Sequence, residues 1–480
     1  MSEPGRNPEA TKADRMTAFD RKMHNADLPP EVIQLFKSYL EEFFSSRNIG
    51  FIPEEAIEPV ADKEIQKQET LEESYLEAGL SALDQAVLIK LNGGLGTSMG
   101  MNFAKTLLKV KDGLTFLDIT LMQTGHSEQG KTPSTLILMN SFNTQDDTLS
   151  FLEKKGYSKK QSLITFKQHL YPKIMQDSLM PASCPEDREK EWNPPGHGDL
   201  YAALWTSSIL ESLLEQGKRY AFVSNGDNLG AVLDPKILGY FSQNELPFLM
   251  EVASRGEADK KGGHVARGRD GRLLLREVAQ CPENDLGHFQ DVDRYSFFNT
   301  NNIWFDLKAL KGFIQKHGLP RLPLIVNPKT LDPRDCDSPK VYQLETAVGA
   351  AINVFAGSGV IRVGRDRFLP VKKTNDLLVL RSDCYEFGSD SQLRLNPDKD
   401  SASTVVDLDE RFYKLVDWFE ARFPEGPPSL VECDSLTVRG DVRFGAKVVC
   451  RGNVLIENKR DEQVTIEDNQ ELIGHLVFED

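Results

Sequence analysis

The pattern of hydrophobic positions changes twice along the chain, and its first part predicts helices. Behind Pro29-Pro30, apolar side chains recur at i, i+3 and i+4 spacing from Val32 to Phe44, which predicts an amphipathic helix. An acidic stretch follows up to about Leu83, and we expect it to be helical as well. These features define an N-terminal helical segment, residues 1–83.

The middle of the chain carries short apolar runs instead. They are AVLIKL (86–91), TLILM (135–139), YAFVSN (220–225) and PFLMEVA (247–253), separated by segments of helical length. Runs of this kind are typical of strands that are buried on both faces of a mostly parallel sheet. The pattern therefore predicts an α/β domain over residues 84–387.

The last part of the chain has neither pattern. In SLTVRGDVRFGAKVVCRGNVLIEN (435–458), apolar positions alternate without a helical period, and glycines stand at positions 440 and 452. We interpret this as two or three rungs of a small β-solenoid, with an ordinary β-meander as the alternative. The polar stretch 388–403 predicts a linker or loop at the start of this C-terminal domain, residues 388–480.

Composition narrows the classes of function. Lys and Arg number 57 against 73 Asp and Glu, and the net charge of -16 argues against a sequence-independent nucleic-acid binder. An anionic small substrate would need a local basic site. The six cysteines form no C-x-x-C pair, which argues against a disulfide framework or a zinc site. Neither a long apolar run nor a signal-peptide pattern occurs, so we expect no membrane association and a cytoplasmic location, with a peroxisome-like organelle left open.

The strongest local motif is KLNGGLGTSMG (90–100), a glycine-rich turn directly after the first apolar run and ahead of Lys105. Glycines let the backbone approach a ligand closely, and consecutive N–H groups can hold phosphate oxygens. The turn fails the Walker pattern because no Lys-Ser/Thr follows Gly100, and it fails G-x-G-x-x-G because Met99 replaces the third glycine. It indicates a generic nucleotide loop, and a tight strand-to-helix turn is the alternative.

Three further polar clusters are NPPGHGDLY (193–201), FVSNGDNLG (222–230) and FFNTNN (297–302). In the first, prolines and glycines stiffen a loop around His197 and Asp199. The second places Asn225 and Asp227 at the end of an apolar run, where open α/β sheets bind ligands, although an isolated aspartate there is more often a helix cap. The amides of the third can bind sugar hydroxyls or form turns.

The order of these motifs resembles one family. GGLGTSMG, PPGHGDLY, NGDNLG, KKGGH, FNTNN, PKVYQLETAVGAAI and RFLPVK follow one another as in the UTP:glucose-1-phosphate uridylyltransferases, and the resemblance is closest to the protozoan type. It covers residues 30–480 and implies a nucleotidyltransferase core with a mixed, Rossmann-like sheet, an N-terminal helical segment packed outside, and a small C-terminal left-handed β-helix. One departure is Ala104 before Lys105, where most members of the wider group carry proline.

The resemblance also implies roles for particular residues. It assigns uracil and ribose to the backbone of Leu91, Gly93 and Gly94, together with Gln168 and Gly196. It assigns the glucose moiety to Asn225, Gly262, Glu277 and Asn299.

The remaining roles concern charge. Lys105 and Lys372 are implied as phosphate clamps, Lys105 as part of the UTP site, Asp227 as the Mg²⁺ ligand, and His197 as a neighbour of the sugar phosphate. In such a reaction two anions must meet and the charge of departing pyrophosphate must be offset, which lysines and Mg²⁺ can do. A loop-stabilising role for His197 and a solvated surface role for Lys372 are the alternatives.

The expected function is transfer of the uridylyl group of UTP to glucose 1-phosphate. A broader UDP-sugar pyrophosphorylase and an N-acetylhexosamine-1-phosphate uridylyltransferase are alternatives, although relatives of the latter carry Gln and Arg where this chain has Leu95 and Ser98. A catalytically inactive sugar-nucleotide sensor is a third alternative. The presence of Lys105, Asp227 and Lys372 argues against it. The expected partners are the two small substrates, with no nucleic acid, and the resemblance favours a monomer.

Overall fold

The computed structural model describes residues 11–45, 50–126, 134–157, 160–333, 335–399 and 404–479. The described N-terminal elements are α1 (Lys12–His24), α2 (Pro30–Ser45), β1 (Ile57–Pro59), β2 (Gln66–Lys67) and α3 (Ser74–Ala82). Helix α2 confirms the predicted amphipathic helix, and its apolar face, which includes Phe36 and Leu40, is buried. The other prediction, that the acidic stretch is helical, is wrong for residues 50–73. Those residues form short 3-10 turns and the two strands, which join the edge of the central sheet.

The central part of the chain contains most of the elements. Its strands are β3 (Ala86–Asn92), β4 (Lys109–Lys111), β5 (Leu114–Thr115), β6 (Thr135–Asn140), β7 (Leu163–Lys167), β8 (Tyr171–Pro172), β9 (Ile174–Met175), β10 (Trp192–Asn193), β11 (Tyr220–Asn225), β12 (Phe248–Ser254), β13 (His264–Gly268), β14 (Leu273–Arg276), β15 (Phe297–Asp306), β16 (Leu324–Thr330), β17 (Lys340–Thr346) and β18 (Gly359–Arg362). Its helices are α4 (Phe116–Gln123), α5 (Gln145–Lys154), α6 (Leu200–Thr206), α7 (Ile209–Glu215), α8 (Pro235–Gln243), α9 (Leu286–Phe289) and α10 (Leu307–His317).

The central sheet has the strand order β2-β18-β12-β15-β11-β3-β6-β7, and β13 attaches β1 and β14 to one side of it. The four predicted apolar runs are the strands β3, β6, β11 and β12. Strands β11, β3, β6 and β7 are parallel neighbours, but β15 runs antiparallel to both β11 and β12. The sheet is therefore mixed, and FFNTNN lies in β15 and not in a turn.

Alternating side chains of the sheet enter two apolar cores. Val87 and Ile89 of β3 pack with α6, α7 and α10 on one face, whereas Leu88 packs with α3, α4 and α8 on the other. Burial on both faces explains why β3 is apolar at nearly every position. Helices α1 and α2 pack outside this sheet, against β8, β9, β16 and β17. Because β11, β3, β6 and β7 are parallel, their carboxyl ends lie at the same edge of the central sheet.

The C-terminal part contains α11 (Thr374–Arg381), β19 (Tyr385–Phe387), β20 (Leu393–Leu395), β21 (Val405–Leu408), α12 (Glu410–Tyr413), α13 (Val416–Arg422), β22 (Cys433–Arg439), β23 (Val442–Phe444), β24 (Val449–Asn458), β25 (Val464–Ile466) and β26 (Glu471–Phe478). Strands β21, β22, β24 and β26 form one parallel ladder, and β23 and β25 form another. Neighbouring strands of a meander would be antiparallel. The predicted linker 388–403 includes β20, and its residues 400–403 lie outside the described residues. The predicted domain boundaries stay predictions.

Candidate active site

A cleft of about 480 Å³ lies at the carboxyl ends of β3 and β11. Nine of the predicted site residues line it: Leu91, Gly93, Gly94, Lys105, Gln168, Gly196, His197, Asn225 and Asp227. Seven of them lie at the ends of the parallel strands β3, β7 and β11 or in the loops that follow, whereas Gly196 and His197 come from the loop behind β10. This is the edge at which open α/β sheets bind ligands.

The glycine-rich turn forms one wall of the cleft. A Cβ atom on Gly93 would lie 2.8 Å from Nε2 of Gln168, whereas one on Gly94 would meet no described protein atom within 4 Å. The space above Gly94 is therefore open to a ligand. The turn ends at Lys105, whose main-chain N–H donates to the carbonyl of Gly94 at 3.0 Å. Ala104 donates its N–H to Asp147 at 2.9 Å, a bond that a proline at this position could not make.

Gln168 follows β7, which is separated from β3 by β6, and its side chain reaches the turn that follows β3. Its main-chain N–H donates to the carbonyl of Asn140 at 2.8 Å, and the residue is 8% exposed. The amide group lies against Gly93, so the backbone of the turn and a side chain with both a donor and an acceptor converge on one place. Such a place can bind a nucleobase edge.

His197 lies on a 3-10 turn (His197–Asp199) that begins behind Gly196. Gly196 has φ of +79°, and a Cβ there would lie 2.4 Å from the carbonyl oxygen of Thr346, so the position requires glycine. Nδ1 of His197 accepts a hydrogen bond from the N–H of Val348 at 2.9 Å. Burial lowers the pKa of His197 to about 4. The neutral ring therefore carries its proton on Nε2, as a hydrogen-bond donor.

The predicted phosphate clamp and the predicted metal ligand contact each other. The ammonium of Lys105 forms an ion pair with the carboxylate of Asp227, and the side chains are 17% and 16% exposed. Among the described residues that line the cleft, Asp227 is the one that carries a carboxylate. One hard oxygen ligand, completed by phosphate oxygens and water, suits Mg²⁺, so the residues present fit this ion.

Lys90, which the sequence analysis missed, lies beneath this pair. It is 1% exposed, and its ammonium donates to the carbonyls of Asn228 (3.1 Å) and Ala231 (3.0 Å). Burial lowers the pKa of Lys90 to about 7, and the charge of Asp227 opposes that shift. The signal was a single charged residue inside the apolar run AVLIKL.

Asn228 connects the loop of Asp227 to the segment that carries Lys372. Its side chain donates to the carbonyl of Arg367 at 3.0 Å and accepts from the N–H of Leu369 at 2.9 Å. Although these residues are about 140 positions apart in the chain, they are thus held in a fixed register.

The remaining predicted residues do not line the cleft and form a second group. A Cβ on Gly263, next to Gly262, would lie 2.5 Å from the carboxylate of Glu277, and the N–H of Asn299 donates to the carbonyl of Gly263 at 2.8 Å. Burial raises the pKa of Glu277, and the charge of Lys372 opposes this shift, so Lys372 lies within electrostatic range of Glu277.

The second group adjoins the cleft through amides of neighbouring strands. Nδ2 of Asn301 donates to Oδ1 of Asn225 at 2.8 Å, which links β15 to the end of β11. Lys372 itself is exposed, with Nζ 5.8 Å from the centre of the Phe368 ring. The structure therefore brings the predicted site together as two neighbouring groups.

The fold and this cleft define a nucleotidyltransferase-like α/β protein, and comparison with known proteins places it more narrowly. Residues 33–451 match the family UTP–glucose-1-phosphate uridylyltransferase. The chain is 42% identical over 396 residues to a protein of that name from Hordeum vulgare, covering 82% of this chain and 81% of the relative. A protein of that name from Solanum tuberosum is 40% identical over 389 residues, 80% of each chain. The chain belongs to this family.

Solved structures agree with this assignment. A mutant of the UDP-glucose pyrophosphorylase of Leishmania major, in complex with UDP-glucose, is 44% identical with a TM-score of 0.88, over 96% of this chain and 99% of that one. A Trypanosoma brucei structure described as UDP-glucose phosphorylase is 44% identical with a TM-score of 0.87, over 97% and 100%. Among the described residues, no helix is both long and apolar enough to cross a membrane.

Proposed function

We propose that this chain transfers the uridylyl group of UTP to glucose 1-phosphate in the cleft at the carboxyl ends of β3 and β11, forming UDP-glucose and pyrophosphate. The observation that carries the proposal is the convergence of the glycine-rich turn, Gln168, His197 and the Lys105–Asp227 pair on one cavity. Each of them supplies a group that can bind part of a nucleoside triphosphate or of a sugar phosphate.

The uracil and ribose would lie over Gly94, against the turn. The amide of Gln168 has a donor and an acceptor, and these match the N3–H and the carbonyl oxygens of uracil. The backbone of Leu91, Gly93, Gly94 and Gly196 would complete this end of the site. At Gly94 an added Cβ would meet no described protein atom within 4 Å, so a ligand can approach the chain closely there.

The phosphates would lie toward Lys105, with His197 donating from Nε2. Asp227 would hold Mg²⁺, and the bound ion would neutralise part of the phosphate charge. Lys372 would approach from the neighbouring group to offset the charge that develops as pyrophosphate leaves. A charge pair at ~4 Å is worth about 4 kcal/mol at an effective dielectric of 20, so a few such contacts can overcome the repulsion between two anions.

The sugar would lie toward Asn225, with Gly262, Glu277 and Asn299 around it. An amide can bind a sugar hydroxyl as donor or acceptor, and a carboxylate can bind one as acceptor.

We infer a single in-line displacement, because the phosphate of the sugar is itself the nucleophile. The oxygen of the sugar phosphate attacks the α-phosphorus of UTP, and the bond to the pyrophosphate oxygen breaks. His197 would not carry the uridylyl group, since its Nδ1 lone pair accepts from Val348 and its Nε2 is protonated.

The test is pyrophosphate release from UTP with glucose 1-phosphate, galactose 1-phosphate and N-acetylglucosamine 1-phosphate. We expect the highest kcat/KM with glucose 1-phosphate. Comparable values for glucose and galactose 1-phosphate would favour a broader UDP-sugar pyrophosphorylase, and no release with any of them would contradict the proposal.

We also infer that the protein is a cytoplasmic monomer and that its C-terminal parallel ladders form a left-handed β-helix.

A further inference from the structure

Asp199 has no place in the proposed chemistry, yet its carboxylate is buried behind the cleft. The residue is 4% exposed and does not line the cavity. One carboxylate oxygen accepts the main-chain N–H of His169 at 2.6 Å, and both oxygens lie 3.0 Å from Nδ1 of the His169 ring. A buried carboxylate requires such partners, because burying an unpaired charge costs several kcal/mol.

The other side of the His169 ring is also held. Nε2 of His169 lies 3.0 Å from Oγ1 of Thr206, the last residue of α6, whereas Asp199 directly precedes that helix. One ring nitrogen of His169 therefore contacts the residue before α6, the other contacts the last residue of α6, and the ring is held on both sides. This arrangement restrains the backbone at position 169 more strongly than a single hydrogen bond would.

The position of this contact matters because of its neighbours in the chain. His169 is adjacent to Gln168, and Asp199 ends the 3-10 turn that begins at His197 behind Gly196. One carboxylate therefore joins the segment that presents the Gln168 amide to the turn that presents the His197 donor. Gln168 itself makes a main-chain bond on the other side, to Asn140 at 2.8 Å.

We propose that Asp199, acting through His169, is a positioning residue that sets the selectivity of the site for uracil over cytosine. The inference rests on the proposed function, in which Gln168 reads the nucleobase. Uracil and cytosine differ in which edge atoms donate and which accept, and a side-chain amide matches either one by turning over. The amide lies against Gly93, so a shift of the backbone at position 168 would move it away from that wall and let it meet the base in either orientation. Discrimination therefore requires that the segment carrying Gln168 be held in place.

The experiment measures kcat/KM for UTP and for CTP, and KM for glucose 1-phosphate, in the full-length protein. Asp199→Asn keeps the shape of the side chain but removes its charge and one of its acceptors. We expect the UTP/CTP ratio of kcat/KM to fall by about 10-fold or more and KM for UTP to rise by a similar factor, with KM for glucose 1-phosphate changing less than about 2-fold.

His169→Ala tests the same contact from its other side and serves if Asp199→Asn does not fold. It should lower the UTP/CTP ratio similarly, and the double variant should be no worse than the stronger single variant, because both remove one interaction. Asp306→Asn is the matched control. Asp306 is a 7% exposed carboxylate that accepts from the N–H of Ala309 at the start of α10 and pairs with Arg219, away from the cleft. This variant should keep the wild-type ratio.

Gln168→Ala separates failure of this inference from failure of the proposed function. If Gln168→Ala leaves the UTP/CTP ratio unchanged, the nucleobase site itself is misassigned. If it lowers the ratio while folded Asp199→Asn and His169→Ala both keep the wild-type ratio, Asp199 has only a structural role and the inference is overturned. A fall of the ratio in all three variants supports it.

Discussion

The ammonium of Lys105 forms an ion pair with the carboxylate of Asp227 inside the cleft. In the free protein, each of these groups thus neutralises the other, and neither charge is left unpaired in a partly buried site. If UTP and Mg²⁺ bind as proposed, the pair would exchange partners: Asp227 would hold the cation and Lys105 would contact a phosphate. Each of the two side chains would keep a partner of opposite charge in this exchange, which limits its cost.

The first prediction concerns Asp227. Asp227→Ala should lower kcat/KM by about 10²–10³-fold, because it removes the proposed ligand and leaves Lys105 without its partner. Raising the Mg²⁺ concentration should restore only part of the activity, since the ligand and not the supply of the ion is missing. Asp270→Ala, which removes an exposed carboxylate paired with Arg272, is the control and should retain full activity. Full recovery of Asp227→Ala at high Mg²⁺ would show that Asp227 is peripheral.

The second prediction compares two adjacent lysines. Lys372→Ala should lower kcat by about 10²–10³-fold and change KM for UTP much less, because Lys372 is proposed to offset charge that develops during transfer. Lys373 is the matched control: it is exposed and pairs with Glu410 at 2.7 Å, so Lys373→Ala should retain near wild-type kcat. Steady-state kinetics of both variants would decide, and equal kcat values would remove Lys372 from the site.

Much of the fold could be predicted because local pattern and tertiary environment agree. Runs such as that of β3 are apolar at nearly every position since both faces of the sheet are covered. Strand β15 was harder, because its asparagines at 299, 301 and 302 have low strand propensity, and pairing with β11 and β12 overrides this. Strands β1 and β2 are too short to show any period.

The site was predictable where function depends on residues near one another in the chain, and less so where it depends on distant contacts. The glycine-rich turn is visible as a motif, and the cleft position of Gln168 followed from resemblance. The hydrogen bond between Asp199 and His169 joins residues 30 positions apart in the chain, and the one between Asn228 and Arg367 joins residues 139 positions apart. Such contacts depend on the packing of whole elements and leave no local signal in the sequence.

The third prediction concerns stability and pH. His264 is fully buried, its ring stacked on Tyr295 with centres 3.8 Å apart, and burial together with Arg255 and Arg276 lowers its pKa to about 3. Between pH 3 and about 6.5 the unfolded chain therefore binds a proton at this position that the folded protein does not. This lowers the free energy of unfolding as the pH falls through that window.

His264→Phe keeps an aromatic ring in the stack but cannot titrate. Urea unfolding at pH 7 and pH 5 should show that the variant loses about 2 kcal/mol less stability than the wild type between these values. Other titrating groups are common to both proteins and cancel in this comparison. An equal loss in the two proteins would mean that His264 takes up a proton in the folded state without penalty.

The last prediction concerns the order of bond formation. In a single displacement, pyrophosphate returns to UTP only after the uridylyl group has passed to the sugar phosphate. Labelled pyrophosphate should therefore not exchange into UTP unless glucose 1-phosphate is present. A covalent uridylyl-enzyme would instead give sugar-independent exchange and ping-pong kinetics.

His197 is the side chain in the cleft whose chemistry comes nearest to such a carrier, and its geometry argues against that role. Its pKa of about 4 means that the ring is uncharged at neutral pH and carries one proton. Because the Nδ1 lone pair accepts the N–H of Val348, that proton is on Nε2. Attack on phosphorus would require the ring to lose that hydrogen bond or to change tautomer. His197→Gln keeps an N–H donor but cannot form a phosphoramidate of imidazole, so it should retain a measurable forward rate and show no exchange. Sugar-independent exchange in a glucose-1-phosphate-depleted preparation of the wild type, abolished in His197→Gln, would establish the two-step mechanism.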